Sequence, residues 1–164
     1  MTEKADFDPE EWQQVAEAPA LAGLIAATAD CGARPTSLSM SRAYAEARRR
    51  LANQALVEEI AAHPPAIDAE GYGDVIRLRS DGLARVRESI ALMERKASPE
   101  EVEAYRRFAL DVAEEAPEAI KPGGLLGVAG NRLSDPIRGA IDEITLALHP
   151  HAGSAQADAS SAAG

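Results

Sequence analysis

Cysteine and aromatic side chains are scarce in this 164-residue chain. Its one cysteine, Cys31, excludes an internal disulfide and indicates a protein of the reducing cytoplasm. Only 4% of the residues are aromatic, and alanine supplies much of the 46% hydrophobic content. Alanine favours closely packed helices, whereas aromatic and β-branched residues favour sheets. The composition therefore predicts an all-α protein, and the length is that of one domain.

Basic residues are also few relative to acidic ones. Seventeen lysines and arginines stand against 27 acidic residues, which gives a formal charge of -10. Such a chain repels phosphate backbones and anionic lipid surfaces. The apolar stretch APALAGLIAATA is too short to span a bilayer, and the acidic start MTEKADFDPEEW does not match a signal peptide. We expect no nucleic acid and no membrane among its partners, and a cytoplasmic location.

The sequence contains two clear patterns for the start of a helix. Asp8-Pro9-Glu10-Glu11 and Ser98-Pro99-Glu100-Glu101 each combine a capping side chain, a proline at the first helical position and acids in the first turn. The first pattern predicts a helix from Asp8 to about Glu17, after which Pro19 should open a second helix that ends at Gly32. The helix that begins at Ser98 should stop or kink at Pro117.

Hydrophobic periodicity predicts the other helices. One should begin near Ser37 or Ser39 and run to Ala62, where His63 and Pro64 end it. The next should cover residues 74–96, although Gly82 leaves a start at Ser80 or Asp81 open. The last follows Ser134-Asp135-Pro136, with Ile137, Ile141, Ile144 and Leu148 on one face.

The predicted fold is thus a single bundle of five to six helices over residues 1–148. A glycine-rich connection precedes the last helix. Residues 149–164 contain no large apolar side chain and are predicted to be a disordered tail.

The glycine-rich segment KPGGLLGVAGNR, residues 121–132, invites a nucleotide-binding interpretation. A phosphate loop needs a lysine and a hydroxyl after its last glycine, but Asn131 and Arg132 follow Gly130. The dinucleotide fingerprint needs a preceding strand, but a helix precedes this segment. We therefore predict a tight connection that presents three apolar residues either to a partner or to the core: Leu125, Leu126 and Val128.

The segment Ala29-Asp30-Cys31-Gly32, followed by a loop, a serine and a helix, resembles the bacterial TerB-like family associated with tellurite resistance. Pro19 and Pro117 are each followed thirteen residues later by glycine, which leaves an internal duplication open. The resemblance implies a helical fold and an acidic, metal-linked position at Asp30. Carbonyl oxygens of residues 30–36 would supply further ligands to a divalent cation. Apart from this alternative, no cofactor is expected.

No catalytic constellation is visible in the sequence. The three histidines do not occur in the Glu-x-x-His spacing of di-metal carboxylate bundles, and adjacent acidic pairs diverge on a helix. We therefore name no catalytic residue and predict a non-enzymatic protein-interaction or stress-associated accessory module with an unknown protein partner. Trp12 either packs in the core or anchors that partner. Homo-oligomerisation, and a small-molecule or enzymatic site assembled from separate helices, stay open as alternatives.

Overall fold

A computed structural model of the chain describes residues 1–30, 35–51, 54–65, 70–120 and 133–150. These residues form six α-helices and two short 3-10 helices, Lys4–Asp6 and Glu70–Tyr72, and they contain no strand. The α-helices are α1 (Pro9–Thr28), α2 (Ser37–Arg49), α3 (Ala55–Ala62), α4 (Val75–Lys96), α5 (Pro99–Ile120) and α6 (Asp135–Leu148).

The predicted all-α bundle is confirmed. The glycine-rich connection and almost all of the predicted tail lie outside the described residues. None of the described helices is long and apolar enough to cross a membrane.

The predicted break at Pro19 is wrong, because α1 continues through this residue to Thr28. A proline inside a helix removes the N–H that would bind the carbonyl four residues earlier, here that of Val15. The hydroxyl of Tyr105 donates to this carbonyl at 2.6 Å. The hydroxyl of Ser89 donates at 3.0 Å to the neighbouring carbonyl of Gln14. Side chains of α4 and α5 thus donate hydrogen bonds to carbonyls of α1 at the point where the sequence of α1 predicts an end.

The predicted single helix from Ser37 to Ala62 is also wrong, because the chain forms two helices there. The predicted start is correct: Thr36 caps α2, and its hydroxyl accepts from the amide of Ser39 at 3.2 Å. α2 ends at Arg49, and the next residue, Arg50, binds two carboxylates of α5. The end of α2 therefore coincides with contacts to α5. Helical periodicity alone does not predict this end.

Gly82 lies inside α4 and does not mark its beginning. The helix starts at Val75, where Asp74 caps it by accepting from the amide of Arg77 at 2.8 Å. A Cβ atom at Gly82 would lie 2.9 Å from Cδ1 of Ile25 on α1. The glycine is therefore a point of close approach between α1 and α4, and the alternative start at Ser80 or Asp81 is wrong.

The capping pattern at the start of α5 is confirmed, since Ser98 and Glu101 bond reciprocally through their side chains and amides at 3.3 Å and 2.9 Å. Pro117 does not stop α5, which continues to Ile120.

The bundle is built around the second half of α1. Every residue from Ala18 to Thr28 is buried, and the small side chains of this run let α1 pack closely against α4 and α5. Tyr44 of α2 meets Phe108 of α5 edge to face, with ring centroids 5.4 Å apart. α6 lays its apolar face, which includes Ile144 and Leu148, over α4 and α5.

Candidate functional site

The structure does not bring together the two predicted site residues that it describes, Trp12 and Asp30. Trp12 lies in the first turn of α1 and Asp30 lies just beyond its other end. Eighteen residues of helix correspond to about 27 Å. Leu125, Leu126 and Val128 lie outside the described residues, so their predicted place in the core or against a partner stays a prediction.

The ring of Trp12 is half-buried, and other side chains of the same chain contact it. Its ring lies 5.9 Å from that of Phe7, centroid to centroid. The ammonium group of Lys4 stands 5.1 Å from the centre of the Trp12 ring, within the range of a cation–π contact. The tryptophan thus holds the N-terminal segment against α1.

Asp30 is partly exposed at the turn that follows α1. Within the described ranges, no group of three or more histidine, aspartate or glutamate side chains could hold a metal ion. Residues 31–34, which would supply carbonyl ligands, are not among those described. The divalent-cation site at Asp30 therefore stays a prediction.

Two buried hydroxyl groups in the centre of the bundle donate hydrogen bonds to backbone carbonyls of α1. Ser89 donates to carbonyls of both α1 and α4, and Tyr105 donates to α1. Burial raises the pKa of both Tyr105 and Tyr44 far above the range of cellular pH. The Tyr44 hydroxyl is buried without a hydrogen-bond partner. Both phenols stay protonated, so neither suits a general base, and only Tyr105 acts as a structural donor.

A second polar cluster ties α2 to α5. The carboxylate of Asp111 is only 4% exposed, and its Oδ1 lies 3.4 Å from the guanidinium of Arg50 and 3.8 Å from that of Arg107. Its Oδ2 is buried with no hydrogen-bond partner. Arg50 also binds Glu115. Burial, with the charge of Asp111, raises the pKa of Glu114 beside it. The arrangement holds the end of α2 on α5.

A groove of about 280 Å³ runs between α1 and α4. Its walls are mostly charged or amide side chains, including Glu17, Arg85 and Glu88, and Arg85 spans it to bind Glu17 at 3.3 Å. Small-molecule pockets are typically larger and mainly apolar. The groove is therefore an interhelical surface crossed by an ion pair.

The described surface exposes large apolar side chains on two neighbouring helices, Val75 and Ile76 of α4 and Leu146 of α6. Ile76 of α4 is 82% exposed and Leu146 of α6 is 61% exposed. Between them, Nε of Arg79 bonds Oε2 of Glu143 at 2.7 Å, which joins α4 to α6. Ile76 precedes Arg79 by three residues and Leu146 follows Glu143 by three, so each lies about 4.5 Å along its helix axis from the bridge.

The surface around this bridge, which we name the α4–α6 face, is formed by Ile76, Ser80, Ala84 and Arg87 of α4 and by Asp142 and Leu146 of α6. All six side chains are exposed. Ile76 and Arg87 are eleven residues apart, about three helical turns, so they share the side of α4 that borders α6. Neither Arg87 nor Asp142 forms an ion pair with any residue that the structure describes. The face thus combines exposed apolar groups, small residues and two charged residues that form no ion pair with a described residue.

Sequence reasoning missed the α4–α6 face, although one signal was available. Residues 76, 80, 84, 87 and 91 recur at helical spacing on α4, and none of them is acidic in a chain of charge -10. That α6 lies beside this stripe follows only from the tertiary structure, because 38 residues separate the two helices in sequence.

No family model, curated protein or solved structure matches this chain.

Proposed function

We propose that this protein is a non-enzymatic helical interaction module that binds another protein chain through its α4–α6 face. The observation that carries the proposal is the exposure of Ile76 and Leu146 on either side of the Arg79–Glu143 bridge. Isolated exposed apolar residues are common on proteins, but two large ones on adjoining helices give a surface that another chain can cover with apolar groups on both sides of the bridge.

The polar groups of the interior support the same proposal. The buried hydroxyls of Ser89 and Tyr105 bind carbonyls of α1, and the carboxylate of Asp111 is bound by arginines. Each of these groups links two helices of the bundle. They stabilise the scaffold that presents the face, and the single cysteine suits a scaffold that works in the reducing cytoplasm.

The experiment is a quantitative capture of binding proteins from a lysate of the native host. It compares the wild-type chain with the double variant Ile76→Ser and Leu146→Ser. The matched control is Leu38→Ser, because Leu38 is 64% exposed on α2 and lies outside the face. The proposal predicts a bound protein that the double variant loses and the control retains. Equal capture by all three chains would contradict it, as would no capture by any of them.

A further inference from the structure

We propose that the peptide bond between Met1 and Thr2 is a processing site, and that hydrolysis there leaves on Thr2 an α-ammonium group that forms an ion pair with the buried carboxylate of Glu101. The ion pair anchors the new N-terminus at the junction of α4 and α5. This site is separate from the α4–α6 face.

The carboxylate of Glu101 is the first observation behind the proposal. Glu101 lies in the first turn of α5 and is only 5% exposed. Its Oε1 accepts from the amide of Thr2 at 2.7 Å. Its Oε2 accepts from the hydroxyl of Thr2 at 2.8 Å and from the amide of Ser98 at 2.9 Å. All three donors are neutral, so they bind the carboxylate without compensating its charge.

Basic side chains do not compensate this charge either. In the part of the chain that the structure describes, no lysine, arginine or histidine forms an ion pair with Glu101. The carbonyl of Lys96 accepts from the hydroxyl of Thr2 at 3.4 Å, but the ammonium group of Lys96 binds the carbonyl of Asp6 and the carboxylate of Glu11. Carboxylates removed from water are normally paired with a cation, because burial costs them their hydration.

Thr2 can supply the positive charge from the position that it already occupies. Thr2 is 7% exposed, whereas Met1 is 97% exposed, so the loss of Met1 removes no packed side chain. The nitrogen of Thr2 lies 2.7 Å from Oε1 of Glu101, a distance that also suits an ammonium group bound to a carboxylate. The hydroxyl of Thr2 binds the other carboxylate oxygen and fixes the orientation of the residue.

The covalent step is a hydrolysis in which water is the only co-reactant, and a peptidase of the host catalyses it. The bond between the carbonyl carbon of Met1 and the nitrogen of Thr2 breaks. The oxygen of the water goes to the new carboxylate of Met1, and both of its hydrogens end on the nitrogen of Thr2. The product is an ammonium group, the ordinary form of an α-amino group below a pH of about 8.

The same ammonium group forms whether Met1 alone or a longer segment precedes Thr2. Because Thr2 is buried in the folded bundle, the bond is cut before the N-terminal segment packs on α5.

The processing site is tested by the intact mass and the N-terminal sequence of the protein purified from its native host. We expect a chain that begins at Thr2. A chain that begins at any other residue overturns the processing site.

The ion pair is tested with two full chains that begin at Met1 or at Thr2, each released from a removable fusion partner and unfolded in urea. Both carry one α-ammonium group, so their net charges are equal and only the position of this group differs. We expect the equilibrium constant of unfolding to be about fivefold lower for the chain that begins at Thr2, because a charged donor binds a carboxylate more strongly than a neutral amide does.

Two variants identify the partner of the ammonium group. In Glu101→Gln the difference between the two chains should disappear. In the matched control Glu100→Gln it should remain, because Glu100 is exposed and does not bind Thr2. Equal stability of the two unsubstituted chains overturns the ion pair, and so does a difference that persists in Glu101→Gln. The unsubstituted chains decide the question even where Glu101→Gln does not fold.

Discussion

The phenolic hydroxyl of Tyr105 donates a hydrogen bond to the backbone carbonyl of Val15, and the two oxygens are 2.6 Å apart. This carbonyl lacks the usual helical donor because Pro19 has no N–H. The two residues are 90 positions apart in sequence. A contact between α1 and α5 therefore completes a hydrogen-bond ladder that α1 cannot complete alone.

We predict that Tyr105→Phe lowers the free energy of unfolding by about 1–3 kcal/mol, because it leaves a buried carbonyl without a donor. In the background of Pro19→Ala, the new N–H of residue 19 can bind Val15, so the same change should cost less. Urea unfolding of the four chains of this double-mutant cycle measures the difference. Strictly additive effects would show that the hydroxyl does not compensate for the proline.

A second prediction concerns the pH dependence of stability through Glu101. Burial alone would raise the pKa of this carboxyl, but hydrogen bonds from Thr2 and Ser98 outweigh burial and lower the pKa to about 2. The folded state thus holds its proton less tightly than the unfolded chain does. The resulting stability is fully present above the ordinary pKa of 4.5 and is lost as the pH falls towards 2.

Glu101→Gln should therefore flatten the loss of stability between pH 5 and pH 2 that the wild type shows, and it should destabilise the protein at neutral pH by about 1–2 kcal/mol. The control is Glu100→Gln, which changes the exposed neighbouring glutamate. Thermal unfolding as a function of pH measures both. If the two variants give the same pH profile, the Thr2 and Ser98 contacts do not stabilise the carboxylate.

Two helical glycines should respond in opposite ways to alanine. A Cβ atom at Gly23 would lie 3.0 Å from Cγ1 of Val112 and 3.3 Å from Cβ of Ala116, both on α5. A Cβ atom at Gly139 would meet nothing within 4 Å. Gly23→Ala should destabilise the protein by about 1–3 kcal/mol through overpacking, whereas Gly139→Ala should stabilise it by about 0.5–1 kcal/mol through helix propensity.

Urea unfolding at low protein concentration compares these two variants with the wild type. A stabilising Gly23→Ala would mean that α1 and α5 can separate at little cost. Such a result would contradict the close packing on which the centre of the bundle depends.

The last stability prediction concerns the attachment of α2 to α5. Arg50→Met removes one partner of the buried Asp111 carboxylate and should cost about 1–3 kcal/mol, because a buried charge loses a compensating group. Arg49→Met is the control, since Arg49 is exposed and its one ion pair with a described residue is with Glu46 on the same helix. Its cost should stay below about 0.5 kcal/mol. Equal costs in urea unfolding would contradict the role of Arg50.

The sequence predicted those elements whose signals are local. The capping residues Asp8 and Ser98, which the sequence identifies, act within one turn, and the starts of α1, α2 and α5 lie within a residue or two of the predicted positions. The cap of α2 is Thr36, which the sequence did not single out. The continuation of α1 through Pro19 could not be predicted in the same way, because its missing donor is replaced by Tyr105, a residue of another helix.

The candidate site likewise has one part with a local sequence signal and one part that depends on contacts between helices. The exposed stripe of α4 is visible in the helical spacing of its residues, including Ala84 and Arg87. Its extension across α6 depends on the contact between Arg79 and Glu143. Prediction of the α4–α6 face from sequence would require the packing of helices 38 residues apart, which local patterns do not contain.

The central claim is that the α4–α6 face is covered by another protein chain. Site-specific photo-crosslinking tests it most directly, with benzoylphenylalanine introduced in the native host in place of Leu146, Ile76 or, as the control, Leu38. We predict crosslinked adducts from positions 146 and 76 and none from position 38. Adducts of equal yield from all three positions, or no adduct from positions 146 and 76, would contradict the account.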